Sequence, residues 1–227
     1  MKKQAKKNIF ADKATLILRR MLQEPDKKWV VRDFTGTGEV SLGLAQEVLE
    51  TMASEGYVER VKKGPESYTV LTHPQRLLDR WLQAYNFEMN EVETYYTHEK
   101  DVLKGLKGIL KEGQYALTLH TGANLITSFV KDDGIYLYLN TPSWDKDILN
   151  IRQHLDLKEL VRGGNVHFIR SRYKESVFFN ARIIKGYRVV APLQLFLDLY
   201  HFQPRGREHA DYLKNQLEDK GKDLGRS

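Results

Sequence analysis

The alternation of breakers and apolar stripes between residues 14 and 71 constrains this chain more than any other feature. In Ala14 to Leu22, the side chains of Leu18, Met21 and Leu22 fall on one stripe at helical spacing, and Pro25 forbids continuation. Trp29 to Phe34 then gives an apolar entry and a second short helix, interrupted by Gly36 and Gly38, where the backbone needs freedom to bend. Ser41 is an N-cap candidate whose hydroxyl oxygen can accept from an unpaired amide of the next helix, with Leu44, Val48, Leu49 and Met52 at helical spacing. Gly56 stops that helix. Tyr57 to Val61 and Ser67 to Leu71 are β-prone runs joined by Lys62-Lys63-Gly64-Pro65-Glu66, a hairpin with a basic tip. Helix, helix, capped helix and basic hairpin is the order of a winged helix-turn-helix, which lays its third helix in the major groove and its wing on the phosphates.

Charge around that third helix points to backbone positioning rather than strong base readout. Between Ser41 and Glu55 the helix carries Gln46, Glu47, Glu50 and Glu55 and no lysine or arginine. Carboxylates repel phosphate, although glutamine can read adenine. Positive charge lies around the helix: Lys2, Lys3, Lys6 and Lys7 in an N-terminal arm, Arg19 and Arg20 on the first helix, Lys27 and Lys28 before Trp29, and Lys62 and Lys63 on the wing. The candidate DNA contacts are therefore these arm, entry and wing lysines together with Ser41 and Gln46. The expected binding is salt-dependent and modestly selective, with specificity recovered when two copies, each a monomer or weak dimer, sit on a repeated operator. The same module also serves elsewhere as a protein-docking unit, and a lysine-rich terminus is often only a solvated tail.

Composition sets the outer bounds. A chain of 227 residues, 41% hydrophobic and 11% aromatic, can fill one large or two ordinary cores. Its formal charge of +6 favours an anionic partner, but 36 basic side chains face 30 acidic ones. Cysteine is absent, which removes disulfides, thiolate nucleophiles and cysteine-ligated zinc. No apolar run approaches the roughly 20 residues that span a bilayer, and the lysine-rich start lacks the apolar stretch of a signal peptide, so a cytoplasmic protein without membrane contact is expected.

Beyond the hairpin, His73-Pro74 introduces a connecting helix on Leu78, Trp81 and Leu82, and a domain boundary is placed near Ala84. Residues 1–84 are read as the DNA-binding domain and 85–227 as an α+β domain. Within the latter, part of Asn86 to His98 reads as extended. Helices are expected over Glu99 to Leu110, Ala123 to Val130, Asp145 to Leu155, Leu193 to Tyr200 and from Gly206 to Leu217, the fourth opened by Pro192. Strands are expected over Tyr115 to Leu119, Gly134 to Leu139, Asn165 to Arg170 and Val177 to Ile184, forming one sheet, and the tail after Glu218 reads as frayed.

Enzymatic readings find little support. The seven histidines include no pair at i and i+4, so a metal site would need tertiary coincidence, and neither metal nor other cofactor is expected. Asp145-Lys146-Asp147 has the Asp-x-Asp spacing of magnesium-binding nucleotidyltransferases, but no Gly-Ser element precedes it and it falls where a helix N-terminus favours acids. Asp132-Asp133-Gly134 reads as a turn, and Gly36-Thr37-Gly38 lacks the third glycine and setting of a dinucleotide loop. The alternatives are a metal-dependent nuclease built from scattered acids, or an interaction module for protein or RNA, with Tyr95, Tyr96, Tyr136 and Tyr138 as stacking platforms.

The most distinctive stretch is Ala191-Pro192-Leu193-Gln194-Leu195-Phe196-Leu197-Asp198-Leu199, followed shortly by Arg205-Gly206-Arg207-Glu208-His209-Ala210. Gln194 and Asp198 share a helix face at i and i+4, and Asp198 is expected to accept a bidentate bond from Arg205 or Arg207 across the corner, chiefly to fix the helix pair. Together with Tyr115-Ala116-Leu117-Thr118 before Thr121-Gly122-Ala123 and the module in front, this pattern resembles the AbiEi antitoxins of type IV toxin–antitoxin systems over nearly the whole chain. The resemblance implies a bacterial, non-enzymatic transcriptional autorepressor that binds inverted repeats in its own promoter. It further implies that the C-terminal domain counters a nucleotidyltransferase-like toxin without a stable complex.

Overall fold

The computed structural model describes residues 6–36, 40–160 and 162–225. Lys2, Lys3, Thr37 and Gly38 lie outside the described residues. Two compact units emerge: one runs to Tyr85 and also takes the stretch from Lys222, and the other is Asn86–Gly221.

The first unit begins with helix α1 (Asp12–Gln23), which ends at Glu24, just before Pro25. Ile17, Leu18 and Met21 are fully buried, as the apolar stripe requires, with Leu22 half-buried beside them. Arg19 departs from its reading as a phosphate-facing cation. It is buried, its guanidinium 5.2 Å from the centre of the Trp81 ring, so its charge is spent inside the unit. A single 3₁₀ turn, Val31–Phe34, takes the place of the second helix, and helix α2 (Leu42–Ser54) follows. Ser41 caps α2 as expected, its Oγ accepting from the Leu44 amide at 3.2 Å. Val48, Leu49 and Met52 are fully buried, and Gly56 leaves the helix end at φ +74. Strands β1 (Val58–Val61) and β2 (Tyr68–Leu71) pair antiparallel, with Val58 opposite Leu71 and Val61 opposite Tyr68. Trp29 adds a further antiparallel bridge to Thr69, two backbone bonds of 2.8 Å. Helix α3 (Pro74–Ala84) buries Leu77, Leu78, Trp81 and Leu82. Part of the C-terminal tail is seated: Leu224 is buried, and at Gly225 a Cβ would lie only 2.2 Å from the Leu22 carbonyl oxygen, so the backbone itself packs there.

The second unit is built on a six-stranded mixed sheet. Its strands are β3 (Glu91–Tyr95), β4 (Tyr115–Leu117), β5 (Ile135–Leu139), β6 (Val166–Arg170), β7 (Arg182–Ile184) and β8 (Tyr187–Val189). Their order is β3-β6-β5-β4-β8-β7, with β5 parallel to β6, β4 parallel to β8, and the other neighbours antiparallel. Parallel neighbours need a crossover, and helix α6 (Trp144–His154) supplies it between β5 and β6. Asp145 and Asp147 sit in its first turn, where carboxylates complement the helix dipole, and Asp147 also accepts from the Thr141 hydroxyl. Asp132 closes the turn before β5 by accepting from the Gly134 amide at 2.8 Å.

The strand expected over Val177 to Ile184 is corrected. Residues 176–180 run as turns, with Val177 buried, and the strand is Arg182–Ile184. Its partner β8 returns through Lys185 and Gly186 at φ +49 and +83, a two-residue turn with the twist that tight hairpins need. The remaining helices are α4 (Val102–Ile109), α5 (Leu119–Thr127), α7 (Pro192–Tyr200) and α8 (Gly206–Glu218). In α7 every residue from Pro192 to Leu199 is buried, so Gln194 and Asp198 must find partners inside the protein. The whole is a mixed α+β protein, and no helix among the described residues is long and apolar enough to cross a membrane.

Candidate nucleic-acid interface and the buried C-terminal network

Helix α2 turns Leu42, Gly43, Gln46, Glu47, Glu50 and Ser54 to solvent. Its carboxylates are not bare. Glu47 lies 3.0 Å from the Lys7 ammonium, Glu55 lies 3.6 Å from Lys6, and Glu50 lies 3.6 Å from Arg60 on β1. Each pair has at least one exposed partner and contributes about 0–1 kcal/mol to stability, but together they mask the negative charge of the helix. Lys6 and Lys7 thus sit on the helix rather than apart from it. Gln46 donates from Nε2 to Glu50 Oε1 at 3.1 Å.

The other candidate cations divide into held and free. Lys27 pairs with Glu24 at 3.5 Å and lies 4.1 Å from the centre of the Trp29 ring, and Lys28 lies 4.9 Å from that of Tyr68. Lys62 and Lys63 are exposed at the hairpin tip and form no ion pair among the described residues. Arg20 donates to the Asp33 carbonyl at 3.0 Å.

In the second unit, the expected arginine clamp on Asp198 is absent from the corner. Arg205 bonds Glu208 at 3.0 Å and stands over the Phe129 ring, while Arg207 bonds Asp211 at 3.0 Å and stands 3.9 Å from the Tyr200 ring centre. Both guanidinium groups find carboxylates three and four residues along their own helix and keep their hydration, which costs less than entering the core. Arg207 is held above the ordinary arginine range: burial acts against this, and the bond and charge of Asp211 outweigh it.

Asp198 is instead served by uncharged donors. Its Oδ2 accepts from Thr118 at 2.5 Å, and its Oδ1 accepts from Gln194 Nε2 at 2.7 Å and from the Tyr138 hydroxyl at 3.1 Å. The Gln194 to Asp198 pairing is the one that the i and i+4 spacing indicates. Asn90 extends the chain by donating to the Tyr138 oxygen at 3.4 Å, so the network ties α7 to the ends of β3, β4 and β5.

A second buried group lies between α5 and α8. His120 Nδ1 and His209 Nδ1 are 2.8 Å apart, with ring planes 9° from parallel. His120 Nε2 faces the Pro204 carbonyl at 3.1 Å, which only accepts, so this nitrogen carries a hydrogen. In the neutral pair, His209 Nδ1 then donates to His120, and His209 Nε2 is left to accept from Thr127 Oγ1 at 2.8 Å. Thr127 is also 2.9 Å from the Ala123 carbonyl, and its one hydrogen cannot serve both contacts at once. Burial lowers both imidazoles from their ordinary pKa, and His209, which also faces His120 and Arg205, drops to about 4.

Glycines make this packing possible. A Cβ on Gly122 would lie 2.8 Å from the Leu117 carbonyl oxygen, and one on Gly206 would lie 2.4 Å from that of Leu199. The Thr-Gly-Ala and Arg-Gly-Arg elements therefore meet their neighbours backbone to side chain or backbone to backbone. Sequence reasoning missed the histidine pair, since 89 residues separate its members. It also missed Arg60 as a partner of Glu50, which cross-element contact alone reveals.

Comparison with curated proteins and with solved structures returns no match. A family model described as transcriptional regulator, AbiEi antitoxin, type IV TA system matches residues 70–219, beginning within β2 and taking in the whole Asp198 network and the histidine pair. That span is more than half of the 227 residues, and the chain belongs to the AbiEi_2 family of transcriptional regulators, the AbiEi antitoxins of type IV toxin–antitoxin systems.

Proposed function

We propose that this protein is a DNA-binding transcriptional autorepressor and the antitoxin of a type IV pair, acting without catalysis. The first unit serves as a winged helix, with α2 as its recognition helix and the β1–β2 hairpin as its wing. The observation that carries this reading is the juxtaposition of a capped, solvent-facing α2 with a hairpin whose tip bears two exposed lysines outside any described ion pair. The Trp29 to Thr69 bridge supports it, because it supplies the short third strand that such a module places before its second helix. The pairing of Glu47, Glu50 and Glu55 with cations removes the main electrostatic objection to an acidic recognition helix. Family membership supports the regulatory and antitoxin roles; the toxin in this reading is nucleotidyltransferase-like and is countered without a stable complex. In this reading Lys62 and Lys63 contact phosphates, Ser41 caps α2 at the groove, Lys6 and Lys7 offset the α2 carboxylates beside the DNA, and Lys27 and Lys28 flank the contact. Residues 1–84 form the DNA-binding domain, residues 85–227 carry the antitoxin activity, and the protein works in the cytoplasm as a monomer or weak dimer paired on inverted repeats.

The test is fluorescence anisotropy of the full chain against its own upstream DNA and a scrambled duplex at two salt concentrations. Tighter binding to the upstream DNA at both salts is expected, and equal or absent binding would overturn autorepression. Replacing Lys62 and Lys63 together by alanine should weaken both duplexes alike and reduce the slope of log K against log salt by about one or two units, at roughly 0.9 per phosphate contact. An unchanged slope would remove the wing from the interface.

A further inference from the structure

We propose that Gln46 reads an adenine in the major groove and that Glu50, held by Arg60, sets the orientation in which its amide is presented. The proposal deepens the DNA-binding reading above and rests on it. Leu42, Gln46 and Glu50 stand at i, i+4 and i+8 on the exposed face of α2. Glu50 Oε1 accepts from Gln46 Nε2 at 3.1 Å and lies 3.6 Å from Arg60 Nη1. A carboxylate only accepts, so this contact is possible only with the amide nitrogen toward Glu50.

One Nε2 hydrogen is thereby committed, and the side chain keeps one N–H and its Oε1 for a ligand. That remaining donor and acceptor match the adenine edge, where N7 accepts and the N6 amino group donates. Guanine presents O6 and N7, both acceptors, so the fixed Oε1 would meet O6 acceptor to acceptor. Glu50 thus acts as a positioning residue for discrimination rather than as a base contact.

Leu42 is 52% exposed one turn before Gln46, and a Cβ added to Gly43 beside it would meet no atom within 4 Å. An exposed leucine next to open backbone at the start of a helix gives an apolar surface that fits the methyl group of thymine. The side chains of Leu42 and Gln46 together select an A·T pair beside a thymine. Lys7 on Glu47 and Lys6 on Glu55 keep the rest of this face close to neutral as it nears phosphate.

The experiment is selection of bound duplexes from a random library by the full-length protein and by the Gln46→Ala and Glu50→Ala variants, followed by anisotropy on the selected duplex. Circular dichroism checks that each variant is folded. The wild-type motif is expected to contain a fixed A·T pair, whose replacement by G·C, or whose adenine replaced by 7-deazaadenine, weakens binding roughly 10- to 100-fold. Gln46→Ala should lose preference at that position alone, and Glu50→Ala should bind the A·T and G·C duplexes within about threefold of each other. A motif kept unchanged by Gln46→Ala would overturn the proposal while leaving DNA binding intact. A Glu50→Ala variant that still prefers A·T by the wild-type factor would overturn the positioning role. No enrichment by the wild-type chain would overturn the DNA-binding reading, and this proposal with it.

Discussion

Replacing Asp198 by alanine is expected to destabilise the second unit by about 3–5 kcal/mol, more than any surface change in the chain. The carboxylate is fully buried and accepts from Thr118, Tyr138 and Gln194. Alanine removes these acceptor contacts at once and leaves a polar hole lined by donors, each costing roughly 1–3 kcal/mol if it stays unmet. Thr118 and Tyr138 can turn their hydroxyls toward other acceptors, whereas the Gln194 amide nitrogen can only donate, which keeps the expected total below the simple sum. At about 3 °C per kcal/mol for a unit of this size, the melting temperature should fall by roughly 10 °C. Arg205→Ala and Arg207→Ala supply the contrast: both guanidinium groups are partnered at the surface, and each should cost under about 1 kcal/mol. Thermal unfolding followed by amide hydrogen exchange in β5 and α7 measures the difference in the right unit. A loss in Arg205→Ala as large as in Asp198→Ala would show that the corner depends on the arginine after all.

Those two outcomes separate what local spacing can and cannot reveal. The Gln194 to Asp198 bond lies within one helix, where an i and i+4 spacing fixes proximity, so it could be read directly. Thr118 and Tyr138 reach Asp198 from 80 and 60 residues away, and nothing in their neighbourhood marks them as its donors. Arginine was the obvious partner by charge, but Glu208 and Asp211 are nearer along the chain and leave the cations hydrated.

The first unit follows the same logic. The capping of α2 by Ser41, the buried stripes of α1 and α2, and the basic hairpin are local, and all were legible. Arg19 departs from its reading because it is buried against the Trp81 ring, which α3 brings in from 62 residues downstream. In the sheet, the reading ends its strand at Ile184 and has no place for β8, because Lys185-Gly186 lacks the asparagine or aspartate that usually announces a two-residue turn with both φ values positive. The tail reads as frayed because its sequence is polar, yet Leu224 is buried and Gly225 packs against Leu22.

The histidine pair should make the second unit acid-sensitive in a definite window. An unfolded His209 takes up a proton near pH 6.5, whereas burial and the neighbouring His120 and Arg205 hold the folded one to about 4. Between those values the unfolded chain binds more protons than the folded one, so stability is full above about pH 6.5 and falls as the pH drops toward 4. At about 1.4 kcal/mol per pH unit, the loss ascribable to His209 reaches at most about 3 kcal/mol. His120 adds in the same direction, since burial lowers its pKa too, although the Pro204 carbonyl and Asp132 work against that shift. The surroundings offer a proton little compensation. Phe129 and Phe202 pack against the pair, Arg205 repels it, and the one hydrogen of Thr127 is contested by the Ala123 carbonyl. Urea unfolding at pH 7.5, 6 and 4.5 should therefore show a steady decline in the second unit. His209→Gln keeps polar atoms in place but removes the titrating ring, so it should cost stability at pH 7.5 and flatten the decline toward pH 4.5. A His209→Gln variant with the wild-type pH slope would assign the acid sensitivity to carboxylates elsewhere and leave the pair a purely packing role.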